Sequence, residues 1–174
     1  MQLNPPSAEA ARALLAKLGA PARLLRHVEL VGEAAEALLA GLAKLNVPIR
    51  TDFVLVGVVL HDAGKILHPL ELDQPGDAHE PAGQALLVEN AVSPEVARVC
   101  LSHARWASLP NSLEELLIAL ADKLWKGVRK PDLEELIVDR VARQLSKDRW
   151  ELFIELDSLF ETIASAGSDR LSRS

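Results

Sequence analysis

The stretch VGVVLHDAGK, residues 56–65, closes an apolar run that starts at Phe53 and stops at Leu60. No charged or amide side chain interrupts residues 53–60, so the segment is expected to be buried. It ends by delivering His61, Asp62 and, after Gly64, Lys65 to the same place. An imidazole, a carboxylate and an ammonium group taken into an apolar interior cost several kcal/mol unless they find partners. The remaining histidines and inward-facing carboxylates of the chain are where those partners are to be sought.

Outward from this stretch the periodicity is helical almost throughout, and no alternating strand pattern persists. Ser7 caps a first helix that stops at Gly19. Pro21 opens a second, to about Asn46, with Leu24, Val28, Val31, Ala35, Leu38 and Leu42 on one face. Thr51 or Asp52 caps the third, which carries His61. Residues 67–76, with Pro69, Pro75 and Gly76, form a loop long enough to be functional. Capping boxes at Asp77/Glu80, Ser112/Glu115 and Asp132/Glu135 open the fourth, sixth and seventh helices, near 77–90, 113–128 and 132–145. Pro94 starts a fifth, to about His103, and residues 150–164 make the last. The expectation is an all-α bundle of about eight helices. It would be one domain over 1–174, with its core at about 20–165 and a frayed tail at 166–174.

Composition narrows the class. Hydrophobic residues make up 49% and charged residues 25% of the 174, as in an ordinary globular domain. A formal net charge of −6 argues against non-specific nucleic-acid binding. Cys100 is the sole cysteine, which excludes an internal disulfide and a zinc–cysteine cluster and suits a reducing, cytoplasmic setting. The first residues lack the basic-then-apolar pattern of a secretory leader. No apolar run approaches the roughly 18 residues of a membrane span, so no membrane partner is expected.

Four further ionisable groups lie on faces that helical spacing turns inward. His27 sits between Leu24 and Val28, where a backbone carbonyl could satisfy it. Asp122 follows Leu116, Leu117, Ile118, Leu120 and Ala121 and precedes Leu124 and Trp125. It must be paired, protonated or bound to a metal there, and an ion pair with Arg26 or Lys65 is the plain alternative. His103 ends the fifth helix, a position that also favours a simple cation. His79 lies in the first turn of the fourth helix, where a neutral imidazole is preferred. His68, in the Pro-rich loop, is expected to be exposed. Together His27, His61-Asp62, His79, His103 and Asp122 come from five helices, and a bundle can bring such groups to one point. Imidazole and carboxylate without thiolate suit iron or manganese, with zinc, nickel, cobalt or magnesium also compatible. Six groups exceed what one ion needs, and two ions bridged by Asp62 would use them. If only His27, His61, Asp62 and Asp122 bind, the site holds one.

This series resembles the HD-domain superfamily of metal-dependent phosphohydrolases. That family's pattern is a lone His, then His-Asp, then a distant Asp, matched here by His27, His61-Asp62 in LHDAGK and Asp122 in ALADKLW. Its dinuclear branches add two histidines between, matched by His79 in DAHEPAGQALL and His103 in CLSHARW. The series is similar to that of bacterial diadenosine tetraphosphate hydrolases. His103 follows Ser102 where some dinuclear phosphodiesterases have paired histidines, and no GYP-type signature supports a cyclic-di-GMP phosphodiesterase. The resemblance implies hydrolysis of a nucleotide or other small phosphate ester by metal-activated water. One branch with the same ligand count, the inositol oxygenases, uses di-iron for oxidation, and a non-catalytic nucleotide-binding module is the third reading. A homodimer is compatible with all three.

In the phosphohydrolase reading Asp62 bridges the ions and accepts a proton on its free oxygen, and Lys65, one turn past His61, contacts the phosphate. Lys126 and Arg129, four and seven residues beyond Asp122, and Arg105, beside His103, would draw an anionic substrate in. Trp106 and Trp125 flank two of the proposed ligands and could wall the site.

Overall fold

The computed structural model describes residues 4–174, and no strand occurs among them. The helices are α1 (Ala8–Lys17), α2 (Ala22–Lys44), α3 (Thr51–Leu60), α4 (His79–Glu89), α5 (Pro94–Ala97), α6 (Val99–Ser102), α7 (Leu113–Leu124), α8 (Pro131–Leu145), α9 (Arg149–Ser165) and α10 (Gly167–Ser172). Two 3-10 turns, Ala63–Ile66 and Pro69–Leu72, connect α3 to α4. All eight expected helices are present, the fifth divided at Arg98 into α5 and α6.

The central position of α3 follows from its sequence. Phe53, Val54, Val56, Gly57, Val58, Val59 and Leu60 are all buried, so this helix has no solvent face to speak of. It is enclosed by α1, α2, α5 and α7. Burial of each large apolar side chain contributes about 1.5–3 kcal/mol. α2 and α7 are amphipathic and turn Leu24, Val28, Val31, Leu38 and Leu117, Ile118, Leu120 towards α3. α8 and α9 pack outside α7.

Local signals explain some of the ends. Ser7 Oγ accepts from Ala10 N–H at 3.1 Å. Ser112 and Glu115 form the expected capping box at α7. The other two boxes do not form. Glu80 instead binds Arg105, and α8 starts at Pro131 with no side-chain cap. The α4 N-terminus is capped from a distance by Glu71, which accepts from Ala78 N–H at 3.2 Å and His79 N–H at 3.0 Å. The frayed tail is also corrected. Residues 167–172 form α10, whose Arg170 is buried. No helix among the described residues is long and apolar enough to cross a membrane.

Candidate metal centre

The end of α3 reaches the floor of a cavity of about 630 Å³. The chain turns sharply there because Gly64 and Gly83 lie against each other: a Cβ on Gly64 would overlap the carbonyl oxygen of His79 and the amide of Gly83. This contact binds the LHDAGK turn to the first turn of α4 and sets His79 beside Asp62.

All six expected ligands converge. Asp62 occupies the middle, and its two oxygens face different imidazoles. Oδ2 lies 3.2 Å from His27 Nε2 and 3.5 Å from His61 Nε2. Oδ1 lies 3.3 Å from His79 Nε2 and 3.5 Å from His103 Nε2. Asp122 Oδ1 joins the first set, 3.4 Å from His61 Nε2 and 3.7 Å from His27 Nε2. His27–His61–Asp62, His61–His103–Asp122 and Asp62–His79–His103 are each close enough to hold a metal ion.

The imidazoles are oriented for that task. His61 Nδ1 is 2.7 Å from Val58 O, and His103 Nδ1 is 3.0 Å from Val99 O. A carbonyl can only accept, so in the neutral ring Nδ1 carries the proton and Nε2 presents its lone pair to the site. His79 Nδ1 is held at 2.5 Å by Glu71 Oε2. The Nε2 atoms of His27 and His61 are buried and make no aligned hydrogen bond. Such orphaned acceptors are costly in a dry interior, and a bound cation would satisfy them. On that observation, and on the all-imidazole-and-carboxylate donor set, the residues fit divalent metal.

Electrostatics agree with a cation-binding site. Asp62 and Asp122 are buried, which alone would raise their pKa values. The surrounding histidines at Asp62, and His61 with Lys123 at Asp122, outweigh that and hold both well below the ordinary carboxylate range. Burial likewise disfavours the imidazolium of His61, but Asp62 and Asp122 reverse it and its pKa is raised. For His79 burial opposes charge while Asp62 and Glu71 favour it, again with a net rise. Burial and the neighbouring His61 push His103 down to about 4.

Not every expected residue belongs here. Lys65 does: its Nζ is 2.7 Å from Asp62 Oδ2 and it lines the cavity. Lys126 lines the cavity too. Arg129 does not, because Glu134, Asp157 and Glu161 neutralise its guanidinium on the α8–α9 side. Arg105 is taken by Glu80 at 2.6 Å and is not part of the lining. Trp125 stands edge-on to His27, ring centres 5.1 Å apart, whereas Trp106 lines a separate surface pocket against α8. His68 is half-buried and outside the lining. Asp62 has no free oxygen to accept a proton, since imidazoles flank both. Sequence reasoning missed Glu71 and Arg23, which line the cavity, as do Lys123 and Arg26, the latter considered only as an ion-pair partner for Asp122.

Glu71 has a testable part. It orients His79 and caps α4 at once, and loss of such a carboxylate behind a ligand histidine costs about 10–100-fold in metal affinity. Glu71→Gln keeps a capping oxygen and removes the charge, so calorimetric titration with manganese should show that loss with the melting temperature little changed. Unaltered affinity would deny Glu71 this role.

Comparison with known proteins agrees with the geometry. The HD domain family profile matches residues 24–126. The chain belongs to this family, part of the metal-dependent phosphohydrolase superfamily. It is also similar to a tRNA (cytidine(56)-2'-O)-methyltransferase of Thermoplasma volcanium, 25% identical over 173 aligned residues, covering 91% of this chain and 48% of that protein. The chain thus spans about half the length of the curated relative it matches. No solved structure matches it.

Proposed function

We propose that this HD-domain chain is a phosphohydrolase that cleaves a nucleotide or another small phosphate ester with the help of two divalent ions, iron or manganese by preference. The observation that carries the reading is the division of Asp62: one oxygen faces His27 and His61, the other His79 and His103. A carboxylate so placed suits a bridge between two ions. Asp122 completes the first set, and the second set keeps fewer protein donors and hence more room for substrate.

Divalent ions bound there supply Lewis acidity, which polarises a phosphoryl oxygen and lowers the pKa of water from 15.7 towards about 7. The chain's own residues do the rest. Lys65, in the cavity beside Asp62, offers its ammonium to a phosphate oxygen, as Lys123 does from the Asp122 side. Trp125 and the buried end of α7 keep bulk water from His27. Hydrolysis adds water across a P–O bond, and its proton leaves with the departing oxygen. Cations around the mouth favour this reading over oxidation of a neutral polyol.

The test combines metal counting with a substrate panel. Protein purified without chelator should carry two ions per chain, and the double variant His79→Ala/His103→Ala should carry one. Nucleotides, a phosphodiester reporter and, given the relative's named activity on tRNA, phosphate-terminated RNA should be offered to the loaded protein. Phosphate release from one class is the expected result. One ion in the parent would remove the dinuclear claim, and full occupancy without any phosphate release would remove the hydrolase claim.

A further inference from the structure

Helix α10 lies outside the residues matched by the family, yet it forms part of the cavity. Leu171 and Ser174 both line it. The segment is fastened at several points. Gly167 passes so close to Gly127 that a Cβ on it would overlap the Gly127 backbone, and Gly127 itself has φ +82°. The Arg170 guanidinium is buried and donates to Ile163 O at 2.9 Å. Arg173 grips Glu33 of α2 with two parallel bonds of 2.8 and 2.7 Å. The carbonyl of Arg173 then accepts from Arg26 Nε at 2.8 Å.

The last bond has a functional side. Arg26, which lines the cavity, spends Nε on Arg173 and Nη1 on Glu29, at 3.1 Å, and Nη2 makes no hydrogen bond among the described residues. Lys126, exposed and immediately before Gly127, lines the same cavity and takes no carboxylate partner among the described residues. Lys65 and Lys123, by contrast, sit directly on the metal-site carboxylates. The cations therefore fall into two groups, one at the floor and one at the mouth. A volume of about 630 Å³ falls in the range that houses a whole drug-sized ligand and exceeds the needs of one phosphate group.

We propose that Arg26 and Lys126, with Arg26 held in place by the α10 segment through Arg173 and Glu33, form a second anion subsite that receives a phosphate other than the one being cleaved. Substrates with two separated phosphates are thereby preferred over monophosphates. This rests on the phosphohydrolase reading for the identity of the floor site. The mouth cations do not need metal.

The probes are alkanediol bisphosphates of graded length and the matching alkyl monophosphates, titrated calorimetrically into manganese-loaded and metal-free protein. The best bisphosphate should bind loaded protein at least about tenfold tighter than its monophosphate, the effect of one charge-assisted hydrogen bond. Arg26→Ala/Lys126→Ala should erase that advantage, bringing the bisphosphate down to the affinity of its monophosphate, with the manganese count unchanged. Glu33→Gln, remote from the ligand, should reduce the advantage by freeing Arg173, and a merely structural role would alter both probes alike. Equal binding of the two probes by the parent, or an advantage that survives both variants, overturns the subsite. Failure of the metal reading has a different signature: no manganese uptake, with the bisphosphate still bound through Arg26 and Lys126 in metal-free protein.

Discussion

Asp62→Ala is expected to remove metal binding and phosphate release together while the helix bundle survives. Among the described residues, Asp62 is the carboxylate that approaches all four imidazoles, with four Nε2 atoms within 3.5 Å. The other ligands serve mainly one set, so His27→Ala should weaken one ion more than the other. The loss of activity should be large, because Lewis-acid stabilisation of the transition state is worth several kcal/mol, or at least about 10³-fold in rate. The fold should persist because the core of α2, α3 and α7 is independent of the carboxylate. Elemental analysis, circular dichroism and turnover on the same preparation check all three statements. Full metal content in this variant would refute the site itself. Asp62→Asn should behave similarly despite its matching shape, since what is removed is the negative charge that lets four imidazoles gather.

Why were these six candidate ligands legible in the sequence when some of their neighbours were not? The ligands announce themselves by contradiction. His61 and Asp62 terminate a helix that is apolar all round, and Asp122 interrupts the buried face of α7. Local spacing is enough to see that such groups need a partner. Glu71 carries no such sign. It lies in a 3-10 turn of a half-exposed loop, and only the folding of that loop over α4 brings it to His79. Arg129 shows the opposite error. Spacing placed it with Lys126 on one face of a continuing helix, but α7 ends at Leu124 and Gly127 turns left-handed. The chain swings Arg129 onto α9, where Asp157 and Glu161 are waiting. The α10 segment reads as a polar tail because its stabilising partner, Glu33, is far away in sequence and composition cannot reveal a pairing across that separation.

Metal affinity is expected to climb steeply with pH above the ordinary histidine value, and the stability of the metal-free protein to fall over the same range. The two slopes have one cause. His61 and His79 have raised pKa values because Asp62, with Asp122 or Glu71, favours their charged forms over the opposing effect of burial. A metal ion can bind their Nε2 atoms only after those protons leave. Binding near neutral pH should thus release up to about two protons, and apparent affinity should gain up to about 100-fold per pH unit. Asp62 and Asp122 add nothing to this slope, being held far below it, and His103, at about 4, is already neutral. Without metal the sign reverses. The unfolded chain gives up its histidine protons near pH 6.5, while the folded one keeps those of His61 and His79 to higher pH. The stabilisation from these two groups is therefore complete below 6.5 and is lost as pH rises through their folded values. Calorimetric titration in buffers of different ionisation enthalpy counts the protons, and thermal melts with and without manganese give the opposed slopes. A flat affinity between pH 6.5 and 8 would mean that His61 and His79 are already neutral there, which overturns the prediction.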